Sequence, residues 1–292
     1  GSVNKVVTAV AAIEYGIEKP DSPVDIPSTL QVADRTIHDA WSHGRMTMSA
    51  TGVFAKSSNI GTLRIAQKVG PDRYAEMLRR MGIGQRTGIG LPGESPGFVP
   101  ARKDWSGSTF GNLPIGQGLS MTVLQMAGMY QAIANKGVRV PPRIIKAEIG
   151  PGGHRHGQPQ PQGVRVVSER TAHTVLDMFR SVTQEQPNLQ SGTAPEAALP
   201  GYQISCKTGT GQRIDPATGT YSSSKYTITF AGVLPADNPR FVVGLMLDEP
   251  DYGSPEGSSA APLFHQVADY LAQRFNLPLS KTKTPIVPLV LG

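Results

Sequence analysis

The residue pattern of this chain changes period after Pro200, and that change constrains the fold more than any other feature. Residues 202–208, 226–234 and 240–247 are rich in β-branched and aromatic side chains, and Pro235-Ala236-Asp237-Asn238-Pro239 joins the last two as a hairpin. Upstream the period is helical. Val3, Val6, Val7, Val10 and Ile13 fall on one stripe that ends at Gly16, which predicts a buried amphipathic helix. Further helices are predicted over 62–69, over 72–81 ahead of Gly82, and over 122–135, where Thr122 caps and Gly137 terminates. Ser168 caps another through Thr183, and a last helix carries Pro262 in its first turn and runs through Leu263, Phe264, Val267 and Tyr270 to Phe275. The connectors are Gly/Pro-rich at 91–97 and polar at 150–163, the latter predicted as a solvated loop. Helix, mostly helical middle, antiparallel strands and helix again predict an α/β (α+β) fold. In it an antiparallel sheet is layered with helices, and a mostly helical lobe of roughly residues 17–165 is inserted between the first helix and the strand at 202–208.

At 292 residues and 38% hydrophobic content the chain can bury a large core, so residues 1–292 are read as one domain. No run of 18 apolar residues occurs, and no charged-then-apolar leader opens the sequence. The chain starts directly on its first helix, with no supporting strand before it, which predicts an N-terminally incomplete domain; a Gly-Ser cloning scar is the alternative. A single cysteine, Cys206, excludes an internal disulfide and any site built from several thiols. The net charge of +6 is spread along the chain and aromatics are 6%, which argues against a dedicated nucleic-acid surface and supports only mild attraction to an anionic polymer or membrane. The segment 277–292 is apolar and proline-broken, suited to packing on the body or on a partner.

Three short motifs carry the chemistry: Ser2-Val3-Asn4-Lys5, Ser57-Ser58-Asn59 and Lys207-Thr208-Gly209-Thr210, or S-x-x-K, S-x-N and K-T-G. The first also occurs at Ser222 to Lys225 and Ser280 to Lys283, so only the ordered trio selects it. On a helix Ser2 and Lys5 share a face, which lets the amine act as base for the hydroxyl. That requires a neutral lysine, and lowering a lysine from about 10.4 to about 7 takes roughly 4 to 5 kcal/mol against its charged form. Burial and a second cation are the available causes, with Lys207 the candidate cation. In an extended loop Ser57 and Asn59 would point the same way, the hydroxyl to relay a proton and the carboxamide to bind a peptide; Ser57, Ser58 or Asn59 would equally serve as a helix cap. The K-T-G motif is predicted at a strand end, where Gly209 lets a ligand approach and Thr208 and Thr210 place hydroxyls beside a fixed charge. A substrate with a terminal carboxylate fits that end.

With these motifs the chain resembles the transpeptidase domain of class B penicillin-binding proteins, the septal, division-associated kind more than the elongation kind. The likeness extends to residues 115–122, to Phe230-Ala231-Gly232-Val233, to the 235–239 hairpin and to Ala260-Ala261-Pro262-Leu263-Phe264. It implies a serine β-lactamase/transpeptidase-like fold and a peptidoglycan D,D-transpeptidase of cell-wall synthesis. Ser2 would be the acylated nucleophile, Lys5 its base, Ser57 and Asn59 proton relay and substrate ligand, Lys207 electrostatic partner, and Thr208 and Thr210 carboxylate ligands across Gly209. The backbone N–H groups of Ser2 and Thr210 would form the oxyanion hole. The resemblance implies no metal or organic cofactor, and it implies stem peptides as substrate, β-lactams as covalent inhibitors, and a membrane glycosyltransferase and divisome proteins as partners. It places the protein on the outer face of the bacterial cytoplasmic membrane, with an anchor, a pedestal domain and the opening strands of the sheet upstream.

Rival readings are fewer. A Ser-His-Asp hydrolase is disfavoured because no G-x-S-x-G elbow occurs. His154 and His156 have no Cys or carboxylate companion for zinc. A β-lactamase would need a group that activates water, and Glu94 has Phe98 four residues on instead of the asparagine that accompanies the class A glutamate, so Glu94 is predicted to be an ordinary loop residue. A non-catalytic β-lactam sensor would carry the same three motifs.

Overall fold

In the centre of the molecule three antiparallel strands run in the order Phe241–Asp248, Tyr221–Leu234, Ser205–Ile214. The structure is a computed structural model and describes residues 1–250 and 260–292. The alternation of the middle strand assigns its side chains to two separate cores. Ile228, Phe230 and Leu234 pack with Val182, Cys206 and the helix Ala260–Arg274 on one face, whereas Ala231 and Val233 join the larger core on the other. Phe230 meets Phe264 with ring centroids 4.8 Å apart, and Gly232 leaves the room for it, since a Cβ there would lie 2.4 Å from the Phe264 ring.

The eight helices of the described residues are α1 (Lys5–Glu14), α2 (Ala50–Ala55), α3 (Asn59–Val69), α4 (Pro71–Arg80), α5 (Gly107–Asn112), α6 (Val123–Ala134), α7 (Glu169–Phe179) and α8 (Ala260–Arg274). Their ends follow local chemistry. Thr122 and Gln125 form a reciprocal capping box on α6, Ser168 caps α7, and Pro71 occupies the first turn of α4. A 3₁₀ turn, Ser2–Asn4, leads into α1. Burial of α1 goes further than its stripe predicts: Val6, Val7, Ala9, Val10 and Ala11 are all fully buried, so the helix lies inside the core from Lys5 to Ala12 on every side. It stops at Glu14, and Gly16, φ +67°, follows its C-cap Tyr15 where the sequence predicts the end of the stripe.

Three local expectations are corrected. Helix α3 starts at Asn59 instead of Thr62, because Ser58 is its cap and accepts from Gly61 N at 2.9 Å. The K-T-G strand does not end at the motif but continues to Ile214, paired without a break from Ser205 to Gln212 and again, after a shift in register, at Ile214. Residues 17–165 hold α2 to α6 but also short strands, among them Pro23–Ile26 paired with Met46–Ser49, and the predicted solvated loop contributes Arg155–Gly157 to an exposed hairpin with Ala147–Ile149. The tail packs on the body. Val290–Leu291 adds as a third strand beside Met46–Ser49, and Leu289 is fully buried. No helix among the described residues is long and apolar enough to cross a membrane.

Candidate active site

The cleft has a volume of about 830 Å³ and its walls bring all three motifs together: Ser2, Ser57 and Asn59, and the K-T-G strand from Thr208 to Thr210. Ser2 opens the turn into α1 and lines the cleft beside the K-T-G strand. The two backbones touch there. A Cβ on Gly1 would lie 3.2 Å from Thr210 C and O, and one on Gly209 would lie 3.0 Å from Val3 N, so only glycine allows the strand to pass this close to the helix start. The register of Tyr130, whose hydroxyl donates to Val3 O at 2.9 Å, and of buried Asn4, which donates to Leu113 O at 2.8 Å and Tyr74 Oη at 3.0 Å, fixes that start from the inside.

Lys5 and Lys207 are both fully buried and converge on one hydroxyl. Lys5 Nζ donates to Ser57 Oγ at 3.1 Å and Lys207 Nζ donates to it at 2.9 Å. Lys5 also donates to Ser57 O and Asn59 Oδ1, each at 2.7 Å, and Lys207 to Thr208 O at 3.0 Å. Burial is the main cause that pushes Lys5 far below the ordinary lysine range, with the charge of Lys207 adding to it and the Asp39 carboxylate opposing it. Burial also brings Lys207 down to about 7. The second cation inferred from the sequence is therefore present, but desolvation does more. Among the described hydrogen bonds of Lys5 none goes to Ser2 Oγ; the amine is held by the S-x-N turn.

That turn is the helix-cap alternative and not an extended loop. Ser57 lies between α2 and α3 with φ +57°, a left-handed conformation costly for a residue with a Cβ, and Asn59 already belongs to α3. Of the three candidate caps, Ser58 does the capping, which frees Ser57 and Asn59 for the cleft. Asn59 is engaged at both ends, accepting from Lys5 and donating Nδ2 to His38 O at 3.0 Å, so it anchors the lysine as well as facing the cleft.

Residues the motifs did not announce complete the site. The Asp39 carboxylate, with no exposed side-chain surface, accepts from Ser58 Oγ at 2.8 Å, from Ile60 N at 3.0 Å and faces His43 Nε2 at 3.0 Å, locking the turn from behind. Thr193 places its Oγ1 2.9 Å from Thr208 Oγ1, and Lys56 lies over the Trp41 ring at 5.4 Å on the cleft wall. Asp39 is 18 residues before Ser57 and Thr193 is 14 before Lys207, and neither stands in a pattern that periodicity could pick out. Glu94 stays in its loop, bonded through its carboxylate to the Thr87 hydroxyl and backbone N–H, which holds it below the usual carboxylate range, and it does not line the cleft. The decoy Ser280 is occupied structurally, accepting from Gln203 N and donating to Asp237. Among the described residues no group of three or more His, Cys, Asp or Glu could hold a metal ion.

An S-x-x-K helix start, an S-x-N turn and a K-T-G strand around one cleft define a serine acyltransferase-type site, and the family model for the penicillin binding protein transpeptidase domain matches residues 1–269. The chain belongs to that family. It is 59% identical over 295 residues to penicillin-binding protein PbpB of Mycobacterium tuberculosis, which covers 100% of this chain and 43% of that protein. It is 31% identical over 279 residues to peptidoglycan D,D-transpeptidase FtsI of Escherichia coli, covering 95% and 44%. Its fold matches the crystal structure of penicillin-binding protein 3 from M. tuberculosis complexed with ampicillin at a TM-score of 0.96 and 57% identity, over 100% of this chain and 65% of that one. The chain thus spans less than half the length of these two curated relatives.

Proposed function

We propose that this chain is the acyl-transferring part of a division-type peptidoglycan D,D-transpeptidase, with residues 1–292 as its transpeptidase domain. The observation that carries the reading is the Ser57 hydroxyl bridged by two buried lysines beside a cleft on which Ser2 opens. Ser2 Oγ attacks the carbonyl of the penultimate D-Ala of a stem peptide, and its proton passes to Lys5, kept neutral by burial beside Lys207. The C–N bond breaks, and the proton reaches the departing D-Ala amine from Lys5 through Ser57, so the proton that Ser2 lost leaves with the product. An amine of a second stem peptide then attacks the acyl-enzyme, gives up a proton along the same path in reverse, and restores the Ser2 hydroxyl. Thr208 and Thr210 beside Lys207 hold the substrate carboxylate, and the Ser2 and Thr210 N–H groups receive the oxyanion.

The name of the E. coli relative supports the peptidoglycan substrate, and the mycobacterial penicillin-binding protein 3 structures complexed with aztreonam and ampicillin support β-lactams as ligands. On this reading the protein works at the outer face of the cytoplasmic membrane, beside a membrane glycosyltransferase and division proteins. The position of Glu94 away from the cleft favours slow deacylation over β-lactamase turnover. Intact-mass spectrometry after incubation with a penicillin tests this: a persistent single adduct mapping to Ser2 is expected, rapid turnover would make the chain a β-lactamase, and a folded chain without adduct would overturn the reading. Cross-linked product from a stem-peptide donor and an amine acceptor then separates an enzyme from a sensor.

A further inference from the structure

One wall of the cleft is made by Ser191, Gly192 and Thr193, none of which belongs to a catalytic motif. This wall touches both lysine-bearing sides. Thr193 N donates to Ala55 O at the end of α2, Lys56 Nζ donates to Ser191 O at 3.2 Å, and Thr193 Oγ1 meets the Thr208 hydroxyl. The loop that delivers it is strained: Asn188 has φ +58° and Leu189 φ +65°, two consecutive left-handed residues with side chains. Leu189 is 54% exposed, so burial of its side chain does not account for that conformation. Immediately after it, Gln190 grips the distant 287–290 segment with both ends of its amide. Its Oε1 accepts from Leu289 N at 2.6 Å and its Nε2 donates to Val290 O at 2.8 Å.

The same segment is tied to the element that leads into the S-x-N turn. Ser49, the cap of α2, donates its N–H to Leu289 O at 3.0 Å and its hydroxyl to Pro288 O at 2.7 Å. Gly52 completes the seat, because a Cβ there would lie 2.0 Å from Leu289 O. Gln184, 7% exposed, adds a second clamp through Val287 N and O, each at 3.0 Å, and its own carbonyl accepts from Gly192 N at 2.8 Å. The 287–290 segment therefore spans α2 and the cleft wall, more than ninety residues apart in sequence.

We propose that Gln190 is a positioning residue: by clamping the 287–290 segment it holds the strained loop so that Thr193 sets the Thr208 hydroxyl for the carboxylate of the acyl donor. This rests on the serine acyl-transfer reading above. The test is the second-order rate of acylation by a fluorescent penicillin, together with the melting temperature, for the full chain and two variants. Gln190→Ala should acylate on the order of tenfold more slowly at a temperature where it is fully folded, the scale of a slightly misplaced binding group. Gln203→Ala is the comparison, because Gln203 grips the same tail at Thr282 O without touching the cleft wall; it should lower the melting temperature and leave the acylation rate within twofold of the parent. Should Gln190→Ala fail to fold, Gln190→Glu keeps the acceptor, loses the donor to Val290 O, and should show the same deficit. A Gln190 variant that acylates at the parent rate, or an equal loss in Gln203→Ala, overturns the inference. Absence of acylation in the unmodified chain would instead overturn the acyl-transfer reading itself.

Discussion

The two sides of the cleft are built on opposite principles. The helix-borne side sets Ser2, Ser57 and Asn59 on the cleft wall and buries Lys5 behind them, with a left-handed Ser57 and a lysine held by three acceptors. The sheet-borne side sets Lys207, Thr208, Gly209 and Thr210 within an uninterrupted antiparallel ladder in which every residue has its partner on the neighbouring strand. On the proposed reading, proton transfer is placed where many contacts can hold an unfavourable geometry, and carboxylate binding where a regular backbone suffices. Strain is concentrated on the first side and close packing on the second.

The largest effect expected on this comparison is from Ser2→Ala, which should abolish the penicillin adduct in intact-mass measurements while the melting temperature stays within a few degrees, because Ser2 lies at the cleft surface. Next comes Lys5→Met. It should cut the acylation rate by about 10²–10⁴, the range of a lost general base, yet leave thermal stability close to the parent's, because an apolar side chain of similar length replaces an amine that burial already holds neutral. A fall in both quantities together would show that Lys5 serves the fold more than the reaction. On the sheet side, Gly209→Ala should cost about 1–3 kcal/mol by denaturant titration, since its Cβ would lie 2.4 Å from Thr229 Oγ1 and 3.0 Å from Val3 N.

Stability should also depend on pH through Lys207. Its folded value of about 7 lies below the ordinary 10.5, so between those values the unfolded chain binds more protons than the native one. Stability should accordingly rise as pH increases through that window, by at most about 1.4 kcal/mol per unit from this group, and Lys207→Met should flatten the rise. Lys5 contributes with the same sign. The smallest effect, and the one that separates the two sides most directly, is Ser57→Gly. Release of the left-handed strain, up to about 1 kcal/mol, is opposed by loss of the hydroxyl that both buried lysines bond, so stability should change little while acylation falls.

The sequence made the framework legible wherever one chemical rule acted locally. Thr122 and Ser168 mark helix starts by capping, the strand segments after Pro200 announce the sheet, and three motifs identify seven side chains that the fold does gather. What escaped depends on contacts across the chain. Helix α2 is only six residues long, too short for a periodic stripe. For Ser57-Ser58-Asn59 spacing leaves an extended loop and a helix cap both open, and Asp39 with the Ser58 cap imposes a tight turn that spacing alone does not encode. Lys5 was expected against Ser2, one helical turn away, and instead bonds residues more than fifty positions on. The tail was legible as apolar and proline-broken, but its seat depends on Gly52 and Gln190, whose roles exist only once the chain is folded.

Cys206 offers a way to watch this architecture from within. It is the single cysteine of the chain, fully buried in the smaller core with Phe230 and Phe264, and burial pushes its thiol up to about 12. In the closed molecule it is therefore both shielded and protonated, inert to alkylating reagents. Its labelling rate measures how often the strand that carries Lys207 lifts from α8. That makes position 206 a built-in clock for breathing of the sheet, readable with no engineered probe.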